Sequence, residues 1–272
     1  MGEMADLYTL TTSRGASIAF SRSRPATGQP AALPGVVFCG GFRSDMSGTK
    51  ASFLDDVCRR RSQPYLRFDY SGHGRSDGRF EDGTIGGWLA DTLAVLDGAT
   101  DGPQILVGSS MGGWIATLAA LARPERVAGL VCVAAAPDFT EELIWDRLDE
   151  TARARLRADG VIHRPSDYAD APDPIALALI EEGRRHLILG GPVDLAIPVR
   201  LIHGMADADV PWRQSLRFAE RIAGPDVRLT LVKDGDHRLS RDADLALLAA
   251  AVAEVSAAGL SASAGGGGGG TG

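Results

Sequence analysis

A chain of 272 residues with 44% hydrophobic and 23% charged content can bury one sizeable core, and α/β proteins of this length are commonly a single domain. The formal net charge of −7 leaves no basic footprint for nucleic acid and no polybasic membrane segment, so the expected partner is a small molecule or an acylated protein. No stretch reaches the roughly 18 apolar residues of a spanning helix, and residues 1–10 carry Glu3 and Asp6 without an apolar run of signal-peptide length. The expectation is no transmembrane segment and a cytoplasmic location.

In chain order, residues 7–12 and 17–21 read as an opening hairpin, 36–39 as a buried strand, and 48–61 as a helix that ends before Pro64. Residues 65–70 form the next strand and 84–96 a helix. The apolar run 104–107 is a strand, and 114–122 is helix-like. Further strands follow at 127–134, 199–202 and 227–232. Strands alternating with helices argue for a mostly parallel sheet covered on both faces. Cys39, Cys58 and Cys132 lack metal-ligand spacing, and two of them lie in strand-like runs, so they read as reduced and structural.

One region breaks the alternation. Residues 137–198 are helix-like and Pro-rich, with helices expected over 140–158 and 174–189 and no strand of comparable quality. They read as a helical cap over the carboxyl ends of the strands, where open α/β sheets bind ligands. Residues 256–272 are Ala, Ser and Gly, ending in a six-glycine run, and are expected to be a disordered tail outside a domain spanning 1–255.

Three segments carry chemistry. Gly108-Ser109-Ser110-Met111-Gly112 lies between the strand 104–107 and the helix 114–122, the strand-turn-helix setting of a nucleophile elbow. Its central residue sits on a strained turn that larger side chains two positions away would obstruct, so Ser110 reads as the nucleophile. Asp207 follows the strand 199–202 and can orient a histidine; Asp209, just before Val210-Pro211, is the alternative acid. His237 opens the loop after the strand 227–232 and supplies the base. The order Ser, Asp, His is that of α/β-hydrolases.

Other residues read more plainly. His73, in a Gly-rich turn, and His203, at a strand end, are expected to be structural hydrogen-bonders; His163 and His186 fall in the cap. Gly72-His73-Gly74-Arg75-Ser76-Asp77-Gly78 superficially matches a dinucleotide loop, but Asp77 occupies the position of its third glycine. Trp114 and Trp212 read as core, whereas Phe139 and Trp145, on the cap, are candidates for an acyl pocket.

The stretches Cys39-Gly40-Gly41-Phe42, Gly48-Thr49-Lys50-Ala51, Arg67-Phe68-Asp69-Tyr70-Ser71-Gly72-His73-Gly74-Arg75-Ser76, residues 102–114 around Ser110, and Ile202-His203-Gly204-Met205-Ala206-Asp207 resemble the α/β-hydrolase superfamily of serine esterases. Within it, they are most similar to the palmitoyl-protein thioesterase and acyl-glucuronide esterase branch. The resemblance implies an eight-stranded sheet with an antiparallel second strand, a Ser110, Asp207, His237 triad, and acyl ester or thioester substrates, S-acylated proteins included. That branch is mitochondrial, yet the first residues lack an Arg-rich, acid-poor presequence, which keeps the expectation cytoplasmic. The backbone N–H groups of Met111 and Phe42 are the expected oxyanion donors, and the chemistry calls for no cofactor and no metal. Hydrolysis of a peptide or carbon-carbon bond by the same residues, or ligand binding without catalysis, are the alternatives.

Overall fold

The computed structural model describes residues 6–24, 32–165 and 172–265. Its apolar runs pair into one eight-stranded sheet in the order β1-β2-β4-β3-β5-β6-β9-β10. These strands are β1 (Leu7–Thr11), β2 (Ser17–Ser23), β3 (Gly35–Cys39), β4 (Tyr65–Phe68), β5 (Gln104–Ser109), β6 (Val127–Val133), β9 (Val199–Gly204) and β10 (Val227–Val232). β2 is antiparallel to both neighbours, β1 and β4, and every other pairing is parallel. The sheet expected from the sequence is therefore present, antiparallel second strand included.

Successive side chains of a strand face opposite sides, and the core divides accordingly. Val37, Leu106, Leu130 and Leu201 join one cluster with helices α2 (Ile85–Ala99) and α3 (Met111–Ala122). Their neighbours Val36, Ile105, Val131 and Ile202 join a second cluster with α1 (Thr49–Arg60) and α7 (Asp242–Gly265). Burying each such side chain stabilises the fold by about 1.5–3 kcal/mol, so the two faces hold the central strands in place. Cys39, Cys58 and Cys132 are free and buried, and burial pushes the Cys39 and Cys58 thiols up to about 12, out of reach of ordinary thiolate chemistry.

Two expectations need correction. The cap is not purely helical: its irregular turns Thr140–Ile144 and Trp145–Arg147 lead to α4 (Glu150–Asp159). A two-stranded antiparallel ribbon follows, β7 (Val161–Arg164) with β8 (Asp173–Ala176), and then α5 (Leu177–Gly183). The strands are four residues each, and β8 contains Pro174, too short and too mixed for a periodic signal. Nor does order stop at Val255. α7 continues through Gly265, and Ser256 is fully buried, its hydroxyl donating to the Val252 carbonyl at 2.6 Å and accepting from Gln63 Nε2 at 3.0 Å. Alanine favours helix, and Leu248, Val252 and Val255 press α7 onto the sheet, so a run of small residues continues the helix. Residues 266–272 of the expected tail lie outside the described residues.

Candidate active site

Ser110 sits between β5 and α3 at φ 55°, ψ −121°, a left-handed backbone that costs on the order of 1–3 kcal/mol and holds its hydroxyl above the sheet. The glycines flanking it are a steric requirement. A Cβ on Gly108 would stand 2.3 Å from the Gly112 carbonyl oxygen, and one on Gly112 would stand 2.1 Å from that of Cys39.

The other two predicted residues follow β9 and β10, farther along the same sheet. The Ser110 hydroxyl donates to His237 Nε2 at 3.1 Å, and His237 Nδ1–H donates to Asp207 Oδ2 at 2.7 Å. The Asp207 carboxylate is wholly buried and the imidazole mostly so. Burial alone would push the Asp207 carboxyl up. Hydrogen bonds from His203 and His237, the His237 charge and the Val210 amide outweigh it and hold the group well below the usual carboxylate range. Asp207 Oδ1 also accepts the Asp209 and Val210 amides at 2.9 and 2.8 Å. Asp209 thus supports the loop through its backbone; the imidazole donates to Asp207, while an Asp209 carboxylate oxygen also stands within 4.8 Å of the ring.

The loop after β3 closes over Ser110 from the opposite side. A Cβ on Gly41 would lie 3.3 Å from the Ser109 carbonyl oxygen and 3.4 Å from the Ser110 Cβ, so the backbone of this loop passes in close contact with the serine. Neither the Phe42 nor the Met111 amide N–H, one in this loop and one opening α3, has an acceptor among the described residues.

Above Ser110 lies a cavity of about 610 Å³, floored by Phe42, Met111 and Val210 and roofed by Phe139, Leu143, Ile144 and Ile175 of the cap. Phe139 takes its expected place and packs edge-on against Phe42 at 5.9 Å. Trp145 does not. It is outside the cavity lining, and its ring is stacked under the guanidinium groups of Arg184, Arg157 and Arg153 at 4.8, 5.0 and 5.1 Å. The ring is thus engaged by three cations rather than by the cavity. Trp114 is core, as expected, with its indole N–H on the His186 carbonyl. His73 is buried among Tyr70, Phe80 and Trp88.

The sequence reading passed over Lys50, which lines the same cavity and donates to the Arg238 carbonyl next to His237. Burial pushes its ammonium down to about 8, with Asp236 acting in the opposite direction. A signal was available, since only two lysines occur in a chain whose other strong bases are all arginine.

A strand-turn-helix serine after β5, with an acid after β9 and a histidine after β10 of a mostly parallel sheet, is the arrangement of one large enzyme class. The chain belongs to the alpha/beta hydrolase family, which it matches over residues 36–251. It is 42% identical over 216 residues to the bovine (Bos taurus) palmitoyl-protein thioesterase ABHD10, mitochondrial, a match spanning 79% of this chain and 70% of the relative. Among solved structures, a protein from Agrobacterium vitis S4 is 41% identical with a TM-score of 0.88, covering 93% of this chain and all of that one. The mouse alpha/beta hydrolase domain-containing protein 10 is 38% identical with a TM-score of 0.83, covering 92% and 98%. The mitochondrial designation of the bovine relative does not fit a plain cytoplasmic location for this chain. Among the described residues no helix is long and apolar enough to cross a membrane.

Proposed function

We propose that this chain is a serine hydrolase that cleaves carboxylic ester or thioester bonds of acyl substrates through an acyl-enzyme on Ser110. The observation that carries the reading is the hydrogen-bond chain from Ser110 through His237 to Asp207, beneath a cap whose apolar Phe139, Leu143, Ile144 and Ile175 stand beside Arg147, Arg164 and Asp173. His237 takes the Ser110 proton as Oγ attacks the acyl carbon, and returns it to the leaving oxygen or sulfur as the tetrahedral intermediate collapses. Water, deprotonated by the same imidazole, then releases the acid. Asp207 holds His237 in the tautomer with its proton on Nδ1 and stabilises the imidazolium of each half-reaction.

The amides of Met111 and Phe42 supply the two donors to the oxyanion, a contribution worth about a hundred- to a thousandfold in turnover per donor. Phe139, Leu143, Ile144 and Ile175 receive the acyl chain. The names of the thioesterase relatives support acyl substrates, with small-molecule esters, thioesters and S-acylated proteins in one chemical class.

The test is a p-nitrophenyl ester series from acetate to palmitate beside matched thioesters, with fluorophosphonate labelling of Ser110. Turnover of both series with a chain-length optimum is expected. Labelling without turnover of either, or a chain that does not label at all, overturns the reading.

A further inference from the structure

Asp207 is held by a second histidine. His203, on β9 and fully buried, donates Nε2–H to Asp207 Oδ2 at 3.1 Å, on the same oxygen that takes the His237 proton. The same N–H reaches the Val210 carbonyl at 3.0 Å, and His203 Nδ1 lies 2.6 Å from the hydroxyl of Ser215 on α6 (Arg213–Arg221). A carboxylate and a carbonyl can only accept, so the ring proton sits on Nε2. Nδ1 is then the acceptor, and the Ser215 hydroxyl donates to it.

We propose that His203 and Ser215 are positioning residues of this hydrolase. They form a buried relay running Ser215, His203, Asp207, His237, Ser110 that fixes the acid and through it the base. The proposal rests on the triad reading above. Two of the bonds on Asp207 come from amides of its own loop, Asp209 and Val210, and set the carboxylate relative to that loop. His203 ties the same carboxylate to the sheet, and Ser215 ties the ring to α6. Ser215 is itself almost fully buried, so no water competes for its proton. With all four contacts made, neither carboxylate oxygen can swing away from His237, and the imidazole stays aimed at Ser110. A histidine packed into a strand end with no influence on the site would satisfy itself equally well by any buried acceptor; this one shares its proton between Asp207 and the Val210 carbonyl of the loop that carries it.

The experiment uses the full chain and a short p-nitrophenyl ester, with kcat and KM measured separately. His203→Leu removes the donor at similar volume, and kcat should fall about ten- to a hundredfold with KM little changed, the cost of a base misplaced by a fraction of an ångström. His203→Gln, whose amide nitrogen can stand where Nε2 does, should recover most of the loss. Ser215→Ala should lower kcat by less. The low-field proton resonance of His237 Nδ1–H should move in both the Leu and the Ala variants.

A His203→Leu enzyme with unchanged kcat overturns the relay, as does a loss that His203→Gln fails to recover. If His203→Leu does not fold, Ser215→Ala decides: unchanged kcat together with an unmoved proton resonance also overturns it. Ser110→Ala in the same assay separates the two ideas. Its continued turnover would remove the triad reading, whereas an inactive Ser110→Ala beside a fully active His203→Leu removes only the relay.

Discussion

The floor of the site belongs to the eight-stranded sheet and its roof does not. At the floor, Ser110 directly follows β5, Asp207 stands three residues past Gly204 at the end of β9, and His237 five past Val232 at the end of β10. Parallel pairing and two packed faces fix those strand ends, so each functional residue inherits its place from a neighbouring hydrogen-bonded element. The roof has no such frame. Residues 137–198 pack Phe139, Ile144, Ile175, Leu179 and Ile180 into the core cluster beside α2 and α3, and individual polar contacts add to that packing. Within the cap itself, both Asp138 carboxylate oxygens accept amides, from Ile188 and Leu189, at 2.8 Å, and tie the start of the segment to its later part. Glu182 takes the Gly86 amide at 2.9 Å, and Arg43 holds Asp173 at 2.8 Å. A floor fixed by paired strands beneath a roof outside the sheet suits the proposed chemistry, in which the same three side chains act on every acyl group and the cap discriminates among them.

That contrast breaks most sharply at Ser110. Replacing it with alanine, which the turn accommodates at the same backbone, should lower kcat on the order of a millionfold while the thermal midpoint stays close to that of the parent. Fluorophosphonate labelling that persisted on another serine would show that the floor is not where reaction occurs.

The next effect belongs to the acid. Asp207→Asn should keep the shape but favour the wrong His237 tautomer and cost about ten-thousandfold, as in serine hydrolases generally, whereas Asp209→Asn should lose far less because its backbone amide does the supporting. Equal losses would move the acid to the second position. The same variant carries a stability signature. The Asp207 carboxyl titrates lower folded than unfolded, so its ionised form stabilises the native state above about pH 4, and that contribution is lost as pH falls further. Asp138 has the opposite sign, since burial pushes its carboxyl up. Comparing urea midpoints from pH 3 to 6 between the parent and Asp207→Asn isolates the first group, and the parent should lose more stability on acidification. Parallel curves would contradict the assignment.

Floor and roof also differ in how far the sequence disclosed them. The elbow was legible because its constraint is local: a positive φ at Ser110 and carbonyl oxygens crowding positions 108 and 112 leave glycine as the residue that fits. The positions of Asp207 and His237 were legible because each follows an apolar strand within a few residues. The role of His203 was read only as far as a structural hydrogen-bonder. Which acceptor it meets depends on the loop folding back from Asp207 to Val210, and no spacing encodes that. In the roof the controlling contacts join residues dozens apart, such as Asp138 with Ile188 and Gly86 with Glu182, so periodicity over a short window missed β7 and β8 altogether. The C-terminal run failed for a related reason. Its composition argued for disorder, while Ser256 is fixed by a hydroxyl contact to Gln63, 193 positions away.

The smallest predicted effect tests the roof itself, through two aromatic residues that composition could not tell apart. Phe139 faces the cavity and touches Phe42 and Trp114, whereas Trp145 lies under three guanidinium groups outside it. Phe139→Ala removes apolar surface that a long acyl chain would cover and an acetyl group would not reach. It should therefore cut kcat/KM for palmitate esters about tenfold, the equivalent of roughly 1.4 kcal/mol of burial, and leave acetate turnover nearly unchanged. Trp145→Ala should leave the whole chain-length profile in place. Its cost is to stability instead, about 0.5–1 kcal/mol for each exposed cation that loses its ring, read from the urea midpoint. The opposite pattern, an acyl-length shift from Trp145→Ala and none from Phe139→Ala, would put the pocket on the other side of the cap. Equal shifts from both would mean that the cap moves as one body and that its tethers, rather than the residues lining the cavity, set the acyl preference.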